Sequence, residues 1–312
     1  MKSRSASSAR RRARSFTLAL GINLGVALAE LLASAAAHSA SLLADAGHDA
    51  ADAGGLAVAL VAERLARRSP TEERSYGYHR ATIVSALANV GLLLVVAALV
   101  AAEAASRLGH PGHPDGAVIA GVAGGAALAN GAGALVLGDR ARNLNRRVAA
   151  LHLWSDAASS LGVLLVGVVV AATGRLAVLD PAFALLIAGL VAAGALRTGR
   201  EAVEVLLEAS PVDVDLRRLR EEITSVEGVA GVHDVHCWSL SSELRALSAH
   251  LVVAGHPSLE EAQAVGERVK SRISRPFDIA HTTLELECEP CVGPGAAACS
   301  IEEVDAEAAR GR

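Results

Sequence analysis

Six long apolar runs occupy the first two thirds of this chain and constrain its fold more than any other feature. Each run approaches the roughly 17–25 residues that an α-helix needs to cross a bilayer. Six buried helices in a water-soluble protein of this length would leave almost no polar surface, so the runs predict six membrane-spanning helices. They cover residues 16–36, 41–62, 81–105, 116–138, 148–172 and 180–198.

The composition of the chain agrees with a helical membrane domain. Hydrophobic residues make up 52 % of the sequence but aromatic residues only 2 %, so alanine, leucine, valine and glycine supply the excess. Small residues let helices pack closely in lipid, where removal from water no longer drives association.

Basic residues in the connections between the runs predict the side of the membrane on which each connection lies. Arginine is frequent in the N-terminal tail, in 63–80 and in 139–147, whereas the three opposite connections carry at most one each. Since positive loops favour the cytoplasm, both termini are expected there. A basic start before an apolar run is also typical of a signal peptide, but its removal would leave five spans and reverse the pattern. The alanine- and arginine-rich composition favours the inner (plasma) membrane of a bacterium.

After Pro211 the composition becomes that of a soluble domain. Apolar residues at helical or alternating spacing predict a helix, two strands, a second helix and a last strand. The order αββαβ indicates an α+β domain in which helices cover one side of a sheet. The predicted elements are 213–226, 231–240, 244–254, 258–274 and 279–287.

Two of the apolar runs carry histidine and aspartate at the same spacing. His48 and Asp52 lie in the second run, and His152 and Asp156 lie in the fifth. Residues four apart share one face of a helix, and an ionisable side chain inside a membrane costs roughly 2.5–3.5 kcal/mol on insertion scales. If the two faces meet, two imidazoles and two carboxylates converge, which is a donor set that tetrahedral zinc accepts.

The charges of this set also connect metal binding with proton binding. Two carboxylates cancel the charge of a divalent ion, so the loaded site is neutral in lipid. When the site is empty, histidines with an ordinary pKa of about 6.5 can take up protons. Metal and protons then compete for the same atoms. A single His/Asp pair would more often form hydrogen bonds between helices, but two copies of the pair on separate runs favour a metal site.

Two further aspartates lie in the second run. Asp45 lies one turn closer to the outer surface on nearly the same face as His48 and Asp52, and it is an accessory candidate for guiding ions or protons. Asp49 points elsewhere and is expected to be a hydrogen-bonding partner.

With these segments the chain resembles the cation diffusion facilitators. The resemblance covers roughly residues 15–290 and rests on HSASLLADAGHDAAD, YGYHRA, ALHLWSDAASSLGV and VHDVHCWSL. It implies a homodimeric metal/proton antiporter with alternating access and a cytoplasmic, ferredoxin-like, metal-binding domain. The transport ligands carried over by position are His48, Asp52, His152 and Asp156. In that family such a set goes with zinc, often with cadmium or cobalt tolerated.

The predicted cytoplasmic domain carries further candidate ligands. His233 and His236 lie three apart, which places them on opposite faces of a regular strand, while His233 could meet His250 across neighbouring strands. The resemblance implies that His233, His250 and Glu287 bind regulatory zinc. Ordinary surface histidines on a sheet are the alternative.

A CxxC pair near the end of the chain has the spacing of a zinc half-site. Cys288 and Cys291 form the pair, which Cys237 or His281 would have to complete to give a four-ligand zinc site. The βαβ setting of a redox CxxC is missing. Whether the pair binds metal stays open, as it does for the 63–80 connection.

These features predict a secondary transporter that exports zinc from the cytoplasm in exchange for protons, rather than an enzyme. A membrane-bound metal sensor and an intramembrane zinc enzyme are the alternatives. The sequence contains neither the HExxH of zinc proteases nor the GxxxxGK[ST] loop of ATP-driven pumps. The expected partners are a second copy of the chain, the lipid bilayer and protons, with no nucleic acid.

The predicted division of the chain has four parts. A basic cytoplasmic tail is followed by the six-span transport domain, the cytoplasmic metal-binding and dimerisation domain, and a disordered tail. Their bounds are 1–15, 16–208, 211–290 and 291–312.

Overall fold

The computed structural model describes residues 21, 24–109, 112–138, 144–174, 176–241 and 244–288. The chain divides into two compact units. The first contains the residues up to Arg64 together with Ser85–Arg200, and the second contains Leu65–Val84 together with the residues from Glu201 onward. The tails predicted at 1–15 and 291–312 lie outside the described residues.

Long helices dominate the first part of the described chain. Within the described residues, four helical segments are long and apolar enough to cross a membrane. They are Ala81–Leu108, Gly116–Val136, Ala150–Thr173 and Leu179–Leu206. A further helix has 27 residues but contains three aspartates, and the described part of the first apolar run forms a shorter helix. The predicted helical membrane region is therefore confirmed. In chain order the helices are α1 (Leu24–Ala37), α2 (Ala40–Ala66), α3 (Ala81–Leu108), α4 (Gly116–Gly138), α5 (Leu144–Thr173) and α6 (Leu179–Leu206).

The start of α2 is held by a carboxylate from α6. The chain turns at His38, whose backbone φ is +50°. Asp180 then accepts hydrogen bonds from the Ser39 hydroxyl at 2.6 Å, from the Ala40 amide at 2.6 Å, and from the amide and hydroxyl of Ser41. The first amides of a helix have no partner within it, and a negative charge is favoured at that end. Asp180 thus ties α6 to the helix that carries the first His/Asp pair.

Helices α4 and α5 approach each other closely at two glycines. A Cβ atom added to Gly116 would lie 2.3 Å from the backbone nitrogen of Ala171, and one added to Gly167 would lie 2.5 Å from the backbone nitrogen of Ala120. Neither position has room for a side chain. Contacts between small residues are the usual means of helix packing in lipid, and this one holds α5, which carries the second His/Asp pair.

The second unit contains a small α+β domain. Its described strands form a three-stranded sheet in the order β1-β2-β3, with β1 antiparallel to β2 and β2 parallel to β3. The predicted αββαβ order is confirmed. Its elements are α7 (Leu216–Thr224), β1 (Val229–Ser239), β2 (Arg245–Val253), α8 (Leu259–Ser274) and β3 (Ile279–Glu287).

One face of this sheet packs against the two helices. Leu219 of α7 and Val269 of α8 are buried in the same core as Leu247 and Leu251 of β2. Because side chains alternate along a strand, the intervening residues of β2, among them His250, lie on the opposite face. That face carries the candidate ligands of the domain.

The connection between α2 and α3 also belongs to the second unit. The Tyr76 ring packs edge-on against the ring of His281, with 5.8 Å between their centroids. Arg80 forms an ion pair with Glu208, just beyond the end of α6. The connection is thereby attached both to β3 and to the segment that leads into the α+β domain.

The close contact of α4 with α5 predicts that Gly167→Ala destabilises the protein. Overfilling a packed contact costs roughly 1–3 kcal/mol, and each 1 kcal/mol lowers the unfolding midpoint by about 2–4 °C in a protein of this size class. The thermal unfolding midpoint in detergent should fall by several degrees. Gly121→Ala on α4 is the matched control, because a Cβ atom there meets open space. Equal midpoints for the two variants would contradict the contact.

Candidate metal centres

The two predicted His/Asp pairs meet between α2 and α5. Asp52 Oδ2 lies 3.7 Å from His48 Nε2 and 3.3 Å from His152 Nε2. Asp156 Oδ2 lies 3.6 Å from His152 Nε2. Ligand atoms about 2.0–2.1 Å from a tetrahedral zinc ion are themselves about 3.3–3.5 Å apart. The spacing of these donor atoms therefore suits a shared ion better than direct hydrogen bonds.

Several polar atoms of this set have no hydrogen-bond partner among the described residues. Neither carboxylate oxygen of Asp156 accepts a hydrogen bond, and Nδ1 of His48 has no partner. Asp156 is almost fully buried, whereas the His152 side chain is 46 % exposed. Donor atoms of His48, Asp52 and Asp156 all lie within 4.8 Å of one another, while His152 is near the two carboxylates only. A buried carboxylate without donors is costly, and a cation in this group would remove that cost. The exposure of His152 leaves the set open on one side.

A cavity of about 590 Å³ lies beside His48, lined by α2, α3, α5 and α6. Most of its wall is aliphatic, with Phe183 among the lining residues. Polar side chains line the remainder, namely His48, Asn89, Ser155, Ser159 and Thr198. The cavity gives water or a small ion room next to the His48 side chain.

The structure places both additional aspartates of α2 in the protein interior. Asp45 accepts hydrogen bonds from the hydroxyls of Ser159 at 2.6 Å and Ser160 at 2.8 Å, both on α5. Asp45 therefore joins the two helices that carry the His/Asp pairs. Asp49 is also buried.

Glu30 on α1 is a buried carboxylate that sequence reasoning missed. It is fully buried, and neither of its oxygens accepts a hydrogen bond from a described residue. Glu30 is the one charged residue of the first apolar run. An isolated charge within such a run is the sequence signal that could have identified it.

A bulge in β1 brings the histidines of the α+β domain together. His233 pairs with His250, but His236 pairs with Ser248, so one extra β1 residue lies between the two positions. Asp234 within this bulge has a φ of +48°. An extra residue reverses the alternation of side chains, so His233 and His236 share a face. The prediction of opposite faces was wrong because it assumed a regular strand.

His233, His250 and Glu287 form the second group of candidate ligands. Nε2 of His233 lies 2.9 Å from Oε2 of Glu287, and Nδ1 of His250 lies 2.9 Å from Oε1 of Glu287. Donor atoms of the three residues all lie within 4.8 Å of one another. Two nitrogens and a carboxylate would leave one position of a tetrahedral ion for water or a further ligand.

Among the described residues, the remaining cysteine and histidine candidates are not part of this group. Cys237 is buried in the core between sheet and helices, and this burial raises the pKa of its thiol, which opposes the thiolate that zinc binds. His281 contacts Tyr76, and Cys288 is exposed at the end of β3. Cys291 lies outside the described residues, so the CxxC site stays a prediction.

Known transporters match most of the chain. It is 32 % identical over 295 residues to the zinc transporter ZitB of Escherichia coli, covering 93 % of this chain and 91 % of the relative. It is 33 % identical over 281 residues to the metal cation efflux system protein CzcD of Cupriavidus metallidurans, covering 89 % and 87 %. A cadmium, cobalt and zinc/H(+)-K(+) antiporter of Bacillus velezensis is 31 % identical over 274 residues, covering 84 % of each chain.

A solved structure of the metal-bound C-terminal domain of the CzcD transporter from Cupriavidus metallidurans also matches. It shares 30 % identity, covers 24 % of this chain and 99 % of its own, and has a TM-score of 0.21.

Two family models together account for nearly all of the helical and α+β regions. Residues 16–207 match the cation efflux transmembrane domain, and residues 211–289 match the cytoplasmic domain of cation efflux proteins. The first match alone covers more than half of the chain. The chain therefore belongs to the cation efflux family, the cation diffusion facilitators.

Proposed function

We propose that this protein exports zinc from the cytoplasm in exchange for protons by alternating access. The observation that carries the proposal is the convergence of His48, Asp52, His152 and Asp156 between α2 and α5. Two nitrogens and two carboxylate oxygens match the ligands and the charge of a zinc ion. The zinc transporter ZitB and the cadmium, cobalt and zinc antiporter among its relatives support the same cargo. Cadmium and cobalt are proposed as further substrates.

In this mechanism zinc reaches the site through the cavity beside His48. The ion exchanges its water ligands for the imidazole of His48 and the carboxylate of Asp52, then for the pair on α5. The carboxylates neutralise the ion before it is enclosed, which lowers the cost of holding a divalent charge in lipid. Since each helix supplies half of the ligands, a small movement of α2 relative to α5 would dismantle the set and release zinc on the other side.

Protons complete the cycle by competing for the same atoms. An imidazole nitrogen that carries a proton cannot bind zinc, so protonation from the outer side favours release of the ion. The protons then travel inward while the site is without metal. This exchange needs no hydrolysis of ATP, and no enzymatic activity is proposed.

The cytoplasmic domain is proposed to regulate transport. Zinc bound by His233, His250 and Glu287 would rigidify the face of the sheet on which they lie. The match to the cytoplasmic domain of cation efflux proteins supports assembly as a homodimer.

The proposed location is the inner membrane of a bacterium, with both termini in the cytoplasm. The domain bounds proposed from the sequence are 1–15, 16–208, 211–290 and 291–312.

A membrane-bound zinc sensor is the second candidate. The histidine group of the cytoplasmic domain favours it, because a sensor needs a metal site in contact with the cytoplasm. It leaves the His/Asp set between α2 and α5 without a role, so the transporter is the preferred proposal.

Asp156→Ala should abolish zinc transport. The substitution removes one ligand and half of the compensating negative charge. Zinc uptake into proteoliposomes under an imposed pH gradient should fall to the level of protein-free liposomes, while elution as a folded dimer is retained. Glu103→Gln, on α3 and half-exposed beside Arg107, is the control and should transport normally. Normal uptake by Asp156→Ala would rule out the site, and no uptake by wild type would favour the sensor.

His48→Asp should weaken the preference for zinc over manganese. Replacing an imidazole with a carboxylate gives a harder, oxygen-rich site, and oxygen ligands suit manganese better than nitrogen ligands do. The ratio of zinc to manganese uptake in proteoliposomes should fall at least tenfold. The exposed His113 provides the control substitution His113→Asp. An unchanged ratio in His48→Asp would exclude His48 as a selectivity ligand.

His250→Ala should remove the cytoplasmic zinc site. The variant is made in full-length protein that also carries Asp52→Ala and Asp156→Ala, so that only the two histidines of the transport set remain and the calorimetric signal comes from sites outside the membrane. Zinc affinity should fall more than tenfold, and in the parent it should decrease as the pH falls, because histidine must be deprotonated to bind metal. The control is His256→Ala, which removes an exposed histidine of the same unit. Equal affinities in the two variants would contradict the assignment.

A further inference from the structure

His250 on β2 has carboxylates close to both of its ring nitrogens. Nδ1 lies 2.9 Å from Oε1 of Glu287. Nε2 lies 3.6 Å from Oδ2 of Asp234 and 3.5 Å from Oε2 of Glu285. A neutral imidazole carries its proton on one nitrogen and offers the other to a metal, and the partner of the first nitrogen decides which one is free. The surroundings of His250 therefore determine which nitrogen can bind zinc.

The other members of the ligand group lie on the Nδ1 side of the ring. The Glu287 carboxylate has its second oxygen 2.9 Å from Nε2 of His233, so one oxygen faces each histidine. Nδ1 of His250 is buried and forms no hydrogen bond with a described residue, although Glu287 is near. A zinc ion on this nitrogen could therefore bind His233 and Glu287 as well.

Asp234 is held on the Nε2 side by the bulge of β1. Its backbone has a φ of +48°, in the left-handed region that residues other than glycine seldom adopt, and bulges often redirect a side chain beside a functional site. Its second oxygen, Oδ1, lies 2.9 Å from Nε2 of His236. The Asp234 side chain is 19 % exposed, against 65 % for Glu285, so water weakens its interaction with His250 less.

We propose that zinc binds Nδ1 of His250 and that Asp234 is a positioning residue, which keeps the ring N–H on Nε2 and Nδ1 facing Glu287. A histidine that binds a metal usually donates its other N–H to a carboxylate, a carbonyl or water, which fixes the ring and makes it a better ligand. Asp234 is that carboxylate, and the more exposed Glu285 contributes less. This inference rests on the proposed zinc site of the α+β domain.

The first test compares Asp234→Ala with Asp278→Ala in full-length protein that also carries Asp52→Ala and Asp156→Ala. Asp278 is the matched control, because it is exposed, also has a positive φ, +54°, and lies outside the ligand group. Zinc affinity, measured by calorimetry, should fall about 10–100-fold in Asp234→Ala and stay at the parent value in Asp278→Ala. Equal affinities in the two variants would refute the role of Asp234.

A second measurement needs no substitution at Asp234. Nitrogen-15 NMR spectra of the histidine-labelled, zinc-loaded parent should show zinc on Nδ1 of His250 and a proton on Nε2, with the signal assigned from its absence in His250→Ala. That proton should exchange with water faster in Asp234→Ala than in the parent, and at the parent rate in Asp278→Ala. Zinc on Nε2 with the proton on Nδ1 would overturn the proposal.

Together the two measurements separate the role of Asp234 from the zinc site on which it depends. A parent that binds no zinc would refute the site of the α+β domain itself. A parent that binds zinc through Nδ1, with unchanged affinity and proton exchange in Asp234→Ala, would refute only the positioning role.

Discussion

The pairing of α2 with α5 is the contact on which the helical unit depends, because it compensates the polar groups in the first half of α2. Asp45, Asp49 and Asp52 make this helix too polar to count among the clearly apolar spans. Asp45 is compensated by serine hydroxyls on α5, and Asp52 lies beside His152 of the same helix. Neither helix could keep its polar residues in lipid alone, where unpartnered polar groups are costly.

Other contacts hold these two helices in position. Asp180 of α6 binds the first turn of α2, and Gly116 of α4 sits directly against α5. The first contact is a charge at a helix end and the second is close backbone packing. Both lie away from the donor atoms, so they position the His/Asp pairs without competing for the ion. The stability of the helices and the geometry of the proposed site therefore depend on different residues.

The helical period made the metal candidates predictable, whereas the contacts between elements were not. His48 and Asp52 share a face in any α-helix, so their proximity could be deduced from spacing alone. The same reasoning failed for His233 and His236, because the alternation of side chains along a strand changes at a bulge. The sequence does not predict this bulge or the φ of +48° at Asp234.

The two groups of candidate ligands differ in charge as their surroundings require. The group between α2 and α5 has two carboxylates, so with zinc it becomes neutral, as an enclosed ion in lipid should be. The group in the α+β domain has one carboxylate, Glu287, with two histidines. Asp234 and Glu285 lie 3.6 and 3.5 Å from His250 Nε2, so part of the charge of an ion there would be balanced by carboxylates outside the three ligands. A third carboxylate among the transport ligands would leave a net negative charge and bind zinc more tightly. Tighter binding would slow the release of the ion that transport requires.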